Sequence, residues 1–296
     1  MNQASPSTAS NDLPQSTDQA MNVDKFIAEI MGDLKANRIE LPTLPQVAIK
    51  ISKTVENQNS CVKDVARIVS KDPALCARII QVANSPLVRG NNKIDNVHSA
   101  ITRMGSSMVK NIVTAFLVKQ LFRTKHKMLQ HRMIDIWNHS AHVAAISHVL
   151  AKNFSTLKAD EVMLAGLLHD IGKLPILAKA RKINNLEENQ TALDTVIKKL
   201  HPALGKAILQ AWNFEPSLVN VAAEHERIHR DSKVLDHTDI VLVANLHSFI
   251  GKKDAPTFDW NDIPAMNKLN LDADTSVAVL KEAHEEIADI QKLFTN

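Results

Sequence analysis

Apolar residues recur at helical spacing along almost the whole chain, and this spacing limits the fold more than any other feature. Phe26, Ile27, Ile30, Met31 and Leu34, for example, fall on one face of a helix. No segment shows the alternation expected of a strand, and we find no internal repeat. Glycine, which destabilises helices, occurs 7 times in 296 residues. The sequence therefore predicts an all-α protein.

The helical segments fall into two units with a further segment at each end. Residues 1–22 are polar and lack aromatic side chains, so we expect a disordered tail. Residues 23–125 hold short helices that need each other's apolar faces, and residues 126–251 form a second helical core. Residues 252–296 are predicted to be a linker and one C-terminal helix over 276–294. The whole is a two-part helical bundle, with a short N-terminal unit packed on the second core.

Several local signals make narrower predictions. Ser60 and Asp72 are expected to be helix N-caps, the latter with Pro73 at the first helical position. His201, which precedes Pro202, is expected to cap a new helix and to end the one over 191–200. The basic stretch 123–132 is either a solvated connection or an anion-binding patch, and residues 181–190 are expected to be a loop.

Composition narrows the class of partner and the compartment. The 35 basic and 32 acidic residues leave a net charge of +3, which gives no nucleic-acid footprint. We find neither a signal peptide nor an apolar run of the roughly 18 residues that a membrane helix needs. The two cysteines, Cys61 and Cys76, are predicted to be buried thiols in a reducing compartment. We therefore expect a cytoplasmic, soluble protein, with membranes and nucleic acids disfavoured as partners.

A histidine and an aspartate, His169 and Asp170, follow the apolar end of a predicted helix. Burying Asp170 without a partner would cost several kcal/mol, so the pair needs a reason to be there. Imidazole nitrogens and carboxylate oxygens are both ligands of first-row metals, which favours a metal site. The alternative is a salt-bridged or capped helix end, with Gly172 as a left-handed stop.

Other histidines bear on that choice. His139 and His142 share one face of a predicted helix, His201 precedes a helix, and His225 lies near the end of another. Any one of them alone is more often a satisfied or exposed side chain than a ligand. Their occurrence on consecutive helical elements, each near an apolar stripe, indicates a shared metal-binding pocket with Asp170.

At this point the chain resembles the HD superfamily of metal-dependent phosphohydrolases, and more closely its HDOD (HD-related output domain) branch. The resemblance covers about residues 37–250 and implies a short helical bundle in front of an HD-like helical core. The segments that carry it are Leu41-Pro42-x-Leu44-Pro45, Asp72-Pro73-Ala74-Leu75, Ala83-Asn84-Ser85, Ala100-Ile101-x-x-Met104-Gly105, Trp137-x-His139-Ser140, Gly166-Leu167-Leu168-His169-Asp170-Ile171-Gly172-Lys173 and His201-Pro202-Ala203-x-Gly205.

The resemblance also implies roles for individual residues. Lys173 matches a position where some relatives hold a phosphate, and Asp170 and Lys173 would be the catalytic residues of an enzyme. In active members an aspartate on a late helix closes the site, and here Asn245 stands in that place. Its neutral carbonyl is a weaker donor for a divalent cation such as Mn, Fe, Mg or Zn. The implied ligands are His139, His169, Asp170, His201 and His225.

No nearby acid replaces that aspartate. At about 100° per residue, Asp239 lies about 240° and Asp236 about 180° round the helix from Asn245. Glu226 follows His225 where cyclic-di-GMP phosphodiesterases of the superfamily have a second histidine, and their Gly-Tyr-Pro segment is also missing. We therefore expect a signalling or regulatory protein with a degenerate metal site, which binds a protein partner or a nucleotide or phosphate ligand without catalysis. The alternative is a metal-dependent phosphohydrolase acting on a nucleotide or phosphate ester.

Overall fold

A computed structural model describes residues 15–88, 90, 92–180, 189–252 and 258–296. These residues form helices and contain no strand, which confirms the all-α prediction. Short 3₁₀ helices cover Gln120–Phe122 and Trp260–Asp262. The α-helices are α1 (Gln15–Lys35), α2 (Gln46–Glu56), α3 (Val62–Val69), α4 (Pro73–Ala83), α5 (Val97–Met104), α6 (Ser106–Lys119), α7 (Lys127–Phe154), α8 (Ala159–Leu168), α9 (Lys173–Ala180), α10 (Gln190–Ala211), α11 (Pro216–Glu224), α12 (His237–His247), α13 (Pro264–Leu269), α14 (Ala273–Glu282) and α15 (His284–Thr295).

Helices α2–α6 form the N-terminal part. As predicted, the Asp72 side chain caps α4, where it accepts hydrogen bonds from the Ala74 and Leu75 amides. The predicted cap at Ser60 is wrong, because Cys61 is the N-cap of α3. This position leaves Cys61 exposed at a helix end, and Cys76 is only half-buried, so the prediction of two buried thiols is wrong as well.

Helix α6 joins the N-terminal part to the second core. It is buried along most of its length and packs on α8. Asn111 of α6 donates a hydrogen bond to the Asp160 carboxylate of α8 at 2.8 Å. A second link comes from Trp212, whose indole N–H donates to the Pro42 carbonyl at 2.8 Å. These contacts hold the two predicted parts of the bundle together.

The centre of the second core is α7, a helix of 28 residues. It begins at Lys127, within the basic stretch, because Leu129 and Met133 are buried and extend its apolar face towards the N-terminus. The predicted basic connection over 123–132 is therefore largely helical. Helix α8 lies very close to α7, since a Cβ built on Gly166 would be 2.8 Å from the Ala144 Cα.

Helix α10 runs unbroken through Pro202, so the predicted break and the N-cap role of His201 are wrong. Proline removes one amide hydrogen bond, the one to the carbonyl four residues earlier. That carbonyl belongs to Lys198, which is exposed, so water can satisfy it. Leu200 and Leu204, buried on either side of Pro202, keep the helix packed.

The C-terminal segment is more structured than predicted. It holds α13, α14 and α15 in place of a linker and one helix, with a break at Ala283 between α14 and α15. Phe294 of α15 is fully buried, and its carbonyl accepts a hydrogen bond from the Trp137 indole of α7 at 2.8 Å. The segment therefore belongs to the core around α7.

At the other end, α1 begins at Gln15, eight residues before the start predicted at Val23. Extending a formed helix costs far less than nucleating one, so polar residues can be added at its start. Residues 1–14 of the predicted tail, and 181–188 of the predicted loop, lie outside the described residues. None of the helices in the described ranges is both long enough and apolar enough to span a bilayer.

Candidate metal centre

Four histidines surround the carboxylate of Asp170. His139 comes from the middle of α7, and His169 and Asp170 occupy the turn after α8. His201 lies in α10 and His225 directly follows α11. Asp170 Oδ2 lies 3.3 Å from His169 Nε2 and 3.7 Å from His139 Nε2, and Oδ1 lies 3.5 Å from His201 Nε2 and 3.6 Å from His225 Nε2. The structure thus brings together all five residues that the family resemblance implied as ligands.

Close backbone packing places the Asp170 turn against α10. A Cβ built on Gly172 would lie 1.9 Å from the His201 carbonyl oxygen and 2.5 Å from the Gly205 nitrogen. Only glycine allows this approach. Gly172 does not have a positive φ, so its predicted role as a left-handed helix stop is wrong, and its function is to let two backbones meet.

Hydrogen bonds to the backbone fix the protonation of three of the rings. Nδ1 of His169, His201 and His225 lies 2.6, 2.7 and 3.0 Å from the carbonyl oxygens of Gly166, Ile197 and Val221. Because a carbonyl oxygen only accepts, each Nδ1 carries the proton, and in the neutral ring Nε2 keeps its lone pair. All three lone pairs are aimed at the region of Asp170, which is the arrangement that metal-binding histidines need.

In this arrangement hydrogen-bond acceptors lie next to one another without a donor between them. His201 Nε2 and His225 Nε2 are 3.1 Å apart, and the buried His169 Nε2 has no hydrogen-bond donor among the described residues. The three lone pairs also surround a carboxylate, which is itself an acceptor. A positive charge between these atoms would relieve the repulsion, and a divalent cation is one such charge.

The donors form two groups that share Asp170, one with His139 and His169 and the other with His201 and His225. Four ligands held tetrahedrally at metal–ligand distances of about 2.0–2.2 Å are about 3.3–3.6 Å from one another. In the second group the two separations from Asp170 Oδ1, 3.5 and 3.6 Å, match that figure, and the His201 Nε2–His225 Nε2 separation of 3.1 Å is slightly shorter. The residues present therefore fit a divalent cation, and their assignment as ligands remains a prediction.

Lys173 supplies a positive charge on one side of this centre. Its Nζ lies 2.5 Å from Asp170 Oδ2, the oxygen that faces His139 and His169. Burial alone would raise the pKa of Asp170, but the ammonium group of Lys173 holds it well below its usual range. Asp170 is therefore an anion in the folded protein.

Asn245 lies on α12, buried, and its Oδ1 has no hydrogen-bond partner in the described part of the chain. The two acids that precede it on or beside this helix are engaged elsewhere, as expected. Asp239 pairs with Arg230 and Lys268, and Asp236 also pairs with Arg230. His142, a further candidate, bonds Gln291 Oε1 through Nδ1 at 3.2 Å and is not part of the centre.

Sequence reasoning missed one carboxylate that lies beside the centre. Glu226 Oε1 lies 3.5 Å from His201 Nε2. The sequence showed Glu226 only as a departure from the family pattern, although its position next to His225 was a usable signal. The second group therefore has a carboxylate close by that no motif indicated.

Burial keeps two of the rings neutral at ordinary pH. It lowers the pKa of His139 and of His201 to about 3, with a smaller opposing effect of Asp170. In the unfolded chain these groups titrate near 6.5, so the folded state binds fewer protons below that pH. Stability should then fall as the pH drops from about 6.5 towards 3.

We expect the metal-free protein to lose about 2 kcal/mol of unfolding free energy per histidine between pH 7 and pH 5. Urea unfolding followed by circular dichroism at both pH values measures this loss. His201→Gln should have a smaller pH slope than the unaltered protein, whatever its absolute stability. An unfolding free energy that stays constant from pH 7 to pH 5 would contradict the neutral, buried state of these rings.

A helical fold whose histidines and aspartate converge in this way defines an HD-type domain with a candidate divalent-cation site. The HDOD domain family matches residues 41–228, nearly two thirds of the chain, and the protein belongs to that family. The matched range contains the four histidines, Asp170 and Lys173, whereas Asn245 lies beyond it.

Similar proteins agree with this assignment. A crystal structure of a "putative metal-dependent phosphohydrolase" from Shewanella amazonensis SB2B is 28% identical, with a TM-score of 0.80 over 93% of this chain and 98% of the other. An HDOD domain protein of unknown function from Geobacter sulfurreducens shares the fold at 20% identity and TM-score 0.68, over 93% and 99% of the two chains. An uncharacterized Treponema pallidum protein is 26% identical over 250 residues, which is 79% of this chain and 46% of that relative. The chain thus spans about half the length of that curated relative.

Proposed function

We propose that this HDOD protein is a regulatory module that binds a divalent cation and then a phosphate-containing ligand or a protein partner in a signalling pathway, without catalytic turnover. The observation that supports this most is the ion pair of Lys173 with Asp170 Oδ2 at 2.5 Å. A cation bound by His139, His169 and this oxygen would have to compete with the ammonium group. We also expect that Asn245 stands where a charged ligand would complete this first donor group, the one with His139 and His169.

This asymmetry favours one cation over two. The second group, with His201 and His225, uses Asp170 Oδ1, which has no ammonium group on it. Hydrolysis at a two-metal centre requires both cations, which hold the attacking and the leaving oxygen. A centre that keeps one cation can bind an anion but lacks half of that arrangement.

The alternative function is that of a metal-dependent phosphohydrolase acting on a nucleotide or phosphate ester. It is favoured by the sharing of Asp170 between two donor groups and by the name of the Shewanella relative. A divalent cation bound there would polarise a phosphoryl oxygen and lower the pKa of a bound water. Lys173 would then hold a phosphate oxygen, provided that it leaves Asp170.

A turnover assay separates the two functions. We expect no hydrolysis of cyclic-di-GMP, nucleoside monophosphates or phosphate monoesters by the protein supplied with Mn²⁺ or Fe²⁺, because one carboxylate is missing and Lys173 neutralises another. Product formation is followed by chromatography, with Asp170→Ala as the matched inactive control. Turnover that this variant abolishes would refute the regulatory proposal and establish the phosphohydrolase.

Replacing Asn245 with aspartate tests the role of the missing carboxylate. We expect Asn245→Asp to tighten the binding of Mn²⁺ or Fe²⁺ by about 10- to 100-fold, or about 1.4–2.8 kcal/mol, because the added charge is a main determinant of affinity. Calorimetry measures the change. Asn220→Asp, which adds the same charge at an exposed position on α11, is the control and should have no effect. Equal affinities for Asn245→Asp and the unaltered protein would contradict the assignment of Asn245 to the site.

A further inference from the structure

A second cavity lies apart from the metal centre, where the start of α7 meets the 3₁₀ helix after α6 and the last turn of α15. Its volume of about 450 Å³ is within the range of roughly 300–1,000 Å³ that is usual for small-molecule sites. Of the described residues that line it, none is acidic and none belongs to the metal centre. The composition of the lining therefore favours an anionic ligand.

Two cationic side chains line the cavity without a carboxylate partner. Lys119 is half-buried at the end of α6, and Arg123 is exposed directly after the 3₁₀ helix. Among the described residues neither pairs with an acidic side chain, and Lys119 Nζ donates only to a main-chain oxygen of Asn296, at 3.2 Å. Burial and the like charges of Arg78 and Arg123 lower the pKa of Lys119. An anion in the cavity would relieve this repulsion.

Two uncharged polar side chains of the lining can donate hydrogen bonds to such an anion. Thr124 Oγ1 accepts a hydrogen bond from the His126 amide at 3.2 Å, which leaves the hydroxyl hydrogen available to donate. Asn138 is half-buried on α7, and its side-chain amide has no hydrogen-bond partner among the described residues. Together with Lys119 and Arg123, these groups offer charged and neutral donors to an anion with several oxygens.

The lining also has an apolar part that a bare ion would not use. Phe122 and Trp137 form a buried aromatic pair with ring centroids 5.1 Å apart. Ile134 of α7 is 45% exposed, although it is a large apolar side chain. This surface favours a ligand whose apolar body covers it.

We propose that this cavity binds a small organic phosphate, with Lys119 and Arg123 on the phosphate group and Ile134 and Phe122 against the apolar body. Phosphate suits the site better than a carboxylate, because its three terminal oxygens and its larger negative charge match two cations and two further donors. Arg123 begins the basic stretch that the sequence left open between a solvated connection and an anion-binding patch, and the proposal gives this end of the stretch a ligand. The site needs no divalent cation and is therefore independent of the proposed function.

Phenyl phosphate in the presence of EDTA is the probe, since the chelator removes divalent cations and with them any metal-dependent binding or hydrolysis. Calorimetry should show one equivalent bound to the unaltered protein. Lys119→Gln and Arg123→Gln should each weaken the binding by about 10-fold or more, because each removes a hydrogen bond from a charged group. Lys127→Gln, at an exposed position of the same basic stretch outside the cavity, is the control and should bind like the unaltered protein.

Related anions test the class of ligand. Inorganic phosphate and benzoate should both bind the unaltered protein more weakly than phenyl phosphate, the first because it lacks the apolar body and the second because it carries less charge. Ile134→Ser should weaken the binding of phenyl phosphate and leave that of inorganic phosphate unchanged, since it alters only the apolar wall. Tighter binding of benzoate than of phenyl phosphate would overturn the assignment to a phosphate.

Two further results would overturn the site itself. One is the absence of phenyl phosphate binding in EDTA, including the case in which binding appears only when Mn²⁺ replaces the chelator, because the phosphate would then belong to the metal centre. The other is an affinity that is the same in Lys119→Gln, Arg123→Gln and the unaltered protein. Neither result decides whether the metal centre holds a cation, which the titration of the unaltered protein with Mn²⁺ tests separately.

Discussion

Gly172→Ala is expected to cost more than about 4 kcal/mol of unfolding free energy or to prevent folding, a loss at the extreme end for a single substitution. The added Cβ would lie 1.9 Å from the His201 carbonyl oxygen and 2.5 Å from the Gly205 nitrogen. Both are backbone atoms, so no side-chain rotation can relieve the clash. Helix α10 would have to move away from the Asp170 turn and take His201 with it.

Two other glycines provide a graded comparison by urea unfolding. A Cβ on Gly205 would be 3.1 Å from the Ala222 Cβ, so Gly205→Ala should cost less than Gly172→Ala. Gly32, within α1, has open space around it, and Gly32→Ala should add about 0.5–1 kcal/mol through helix propensity. If Gly172→Ala folds with a stability within 1 kcal/mol of the unaltered protein, the close contact between the Asp170 turn and α10 is wrong.

Gly172 also illustrates what a sequence cannot reveal. A glycine two residues after a helix end is typical of a left-handed stop, and no local pattern distinguishes that role from a close backbone contact. The contact partner, His201, lies 29 residues further along, in a helix whose continuity was itself mispredicted. The predicted break at Pro202 was wrong because it considered only the local cost of proline in a helix. Burial of the residues on either side of Pro202 keeps α10 continuous.

The convergence of these residues was predictable because each histidine lies on an apolar helix or directly after one. A polar side chain at such a position must be buried, and buried imidazoles require partners. Glu226 was not predictable in this way. Continuing α11 by one residue would turn it about 100° away from His225. The helix ends at Glu224, however, and the following turn brings the Glu226 carboxylate to within 3.5 Å of His201.

The helix boundaries were the least predictable part of the fold. The starts of α1 and α7 lie among polar or basic residues, where no capping residue or apolar spacing marks the first turn. The C-terminal segment was predicted as a linker and a single helix over 276–294, without a predicted contact to the core. Phe294 and Ile290 are nevertheless fully buried against the rest of the core, which only the tertiary structure shows.

The second large effect is expected at Asp239, a fully buried carboxylate in the first turn of α12. It lies 2.6 Å from Arg230 Nη1 and 3.0 Å from Lys268 Nζ, and it accepts hydrogen bonds from the Asp236 amide and the Ser232 hydroxyl, each at 3.1 Å. Burial would lower the pKa of Arg230, but its bonds to Asp236 and Asp239 raise it, so the guanidinium stays charged. The network ties α13 to the start of α12.

Asp239→Ala should cost about 3–5 kcal/mol, because it leaves the charges of Arg230 and Lys268 without their buried partner. Asp274→Ala, at an exposed first-turn position of α14, is the control and should cost less than about 1 kcal/mol. The double variant Asp239→Ala, Lys268→Met should lose less unfolding free energy than the sum of the losses of the two single variants. The reason is that it no longer contains an ammonium group without a partner. If the two losses of unfolding free energy are additive, Asp239 does not stabilise the ammonium group of Lys268.

The same variant separates stability from the candidate metal centre. The histidines and Asp170 come from α7, α10 and the residues that follow α8 and α11, none of which carries Asp239. Asp239→Ala should therefore keep the Mn²⁺ affinity of the unaltered protein at temperatures where it is folded. If Mn²⁺ binding weakens in parallel with the free energy of unfolding, α12 positions the centre more directly than these contacts indicate. Asn245 would then be the residue through which α12 acts.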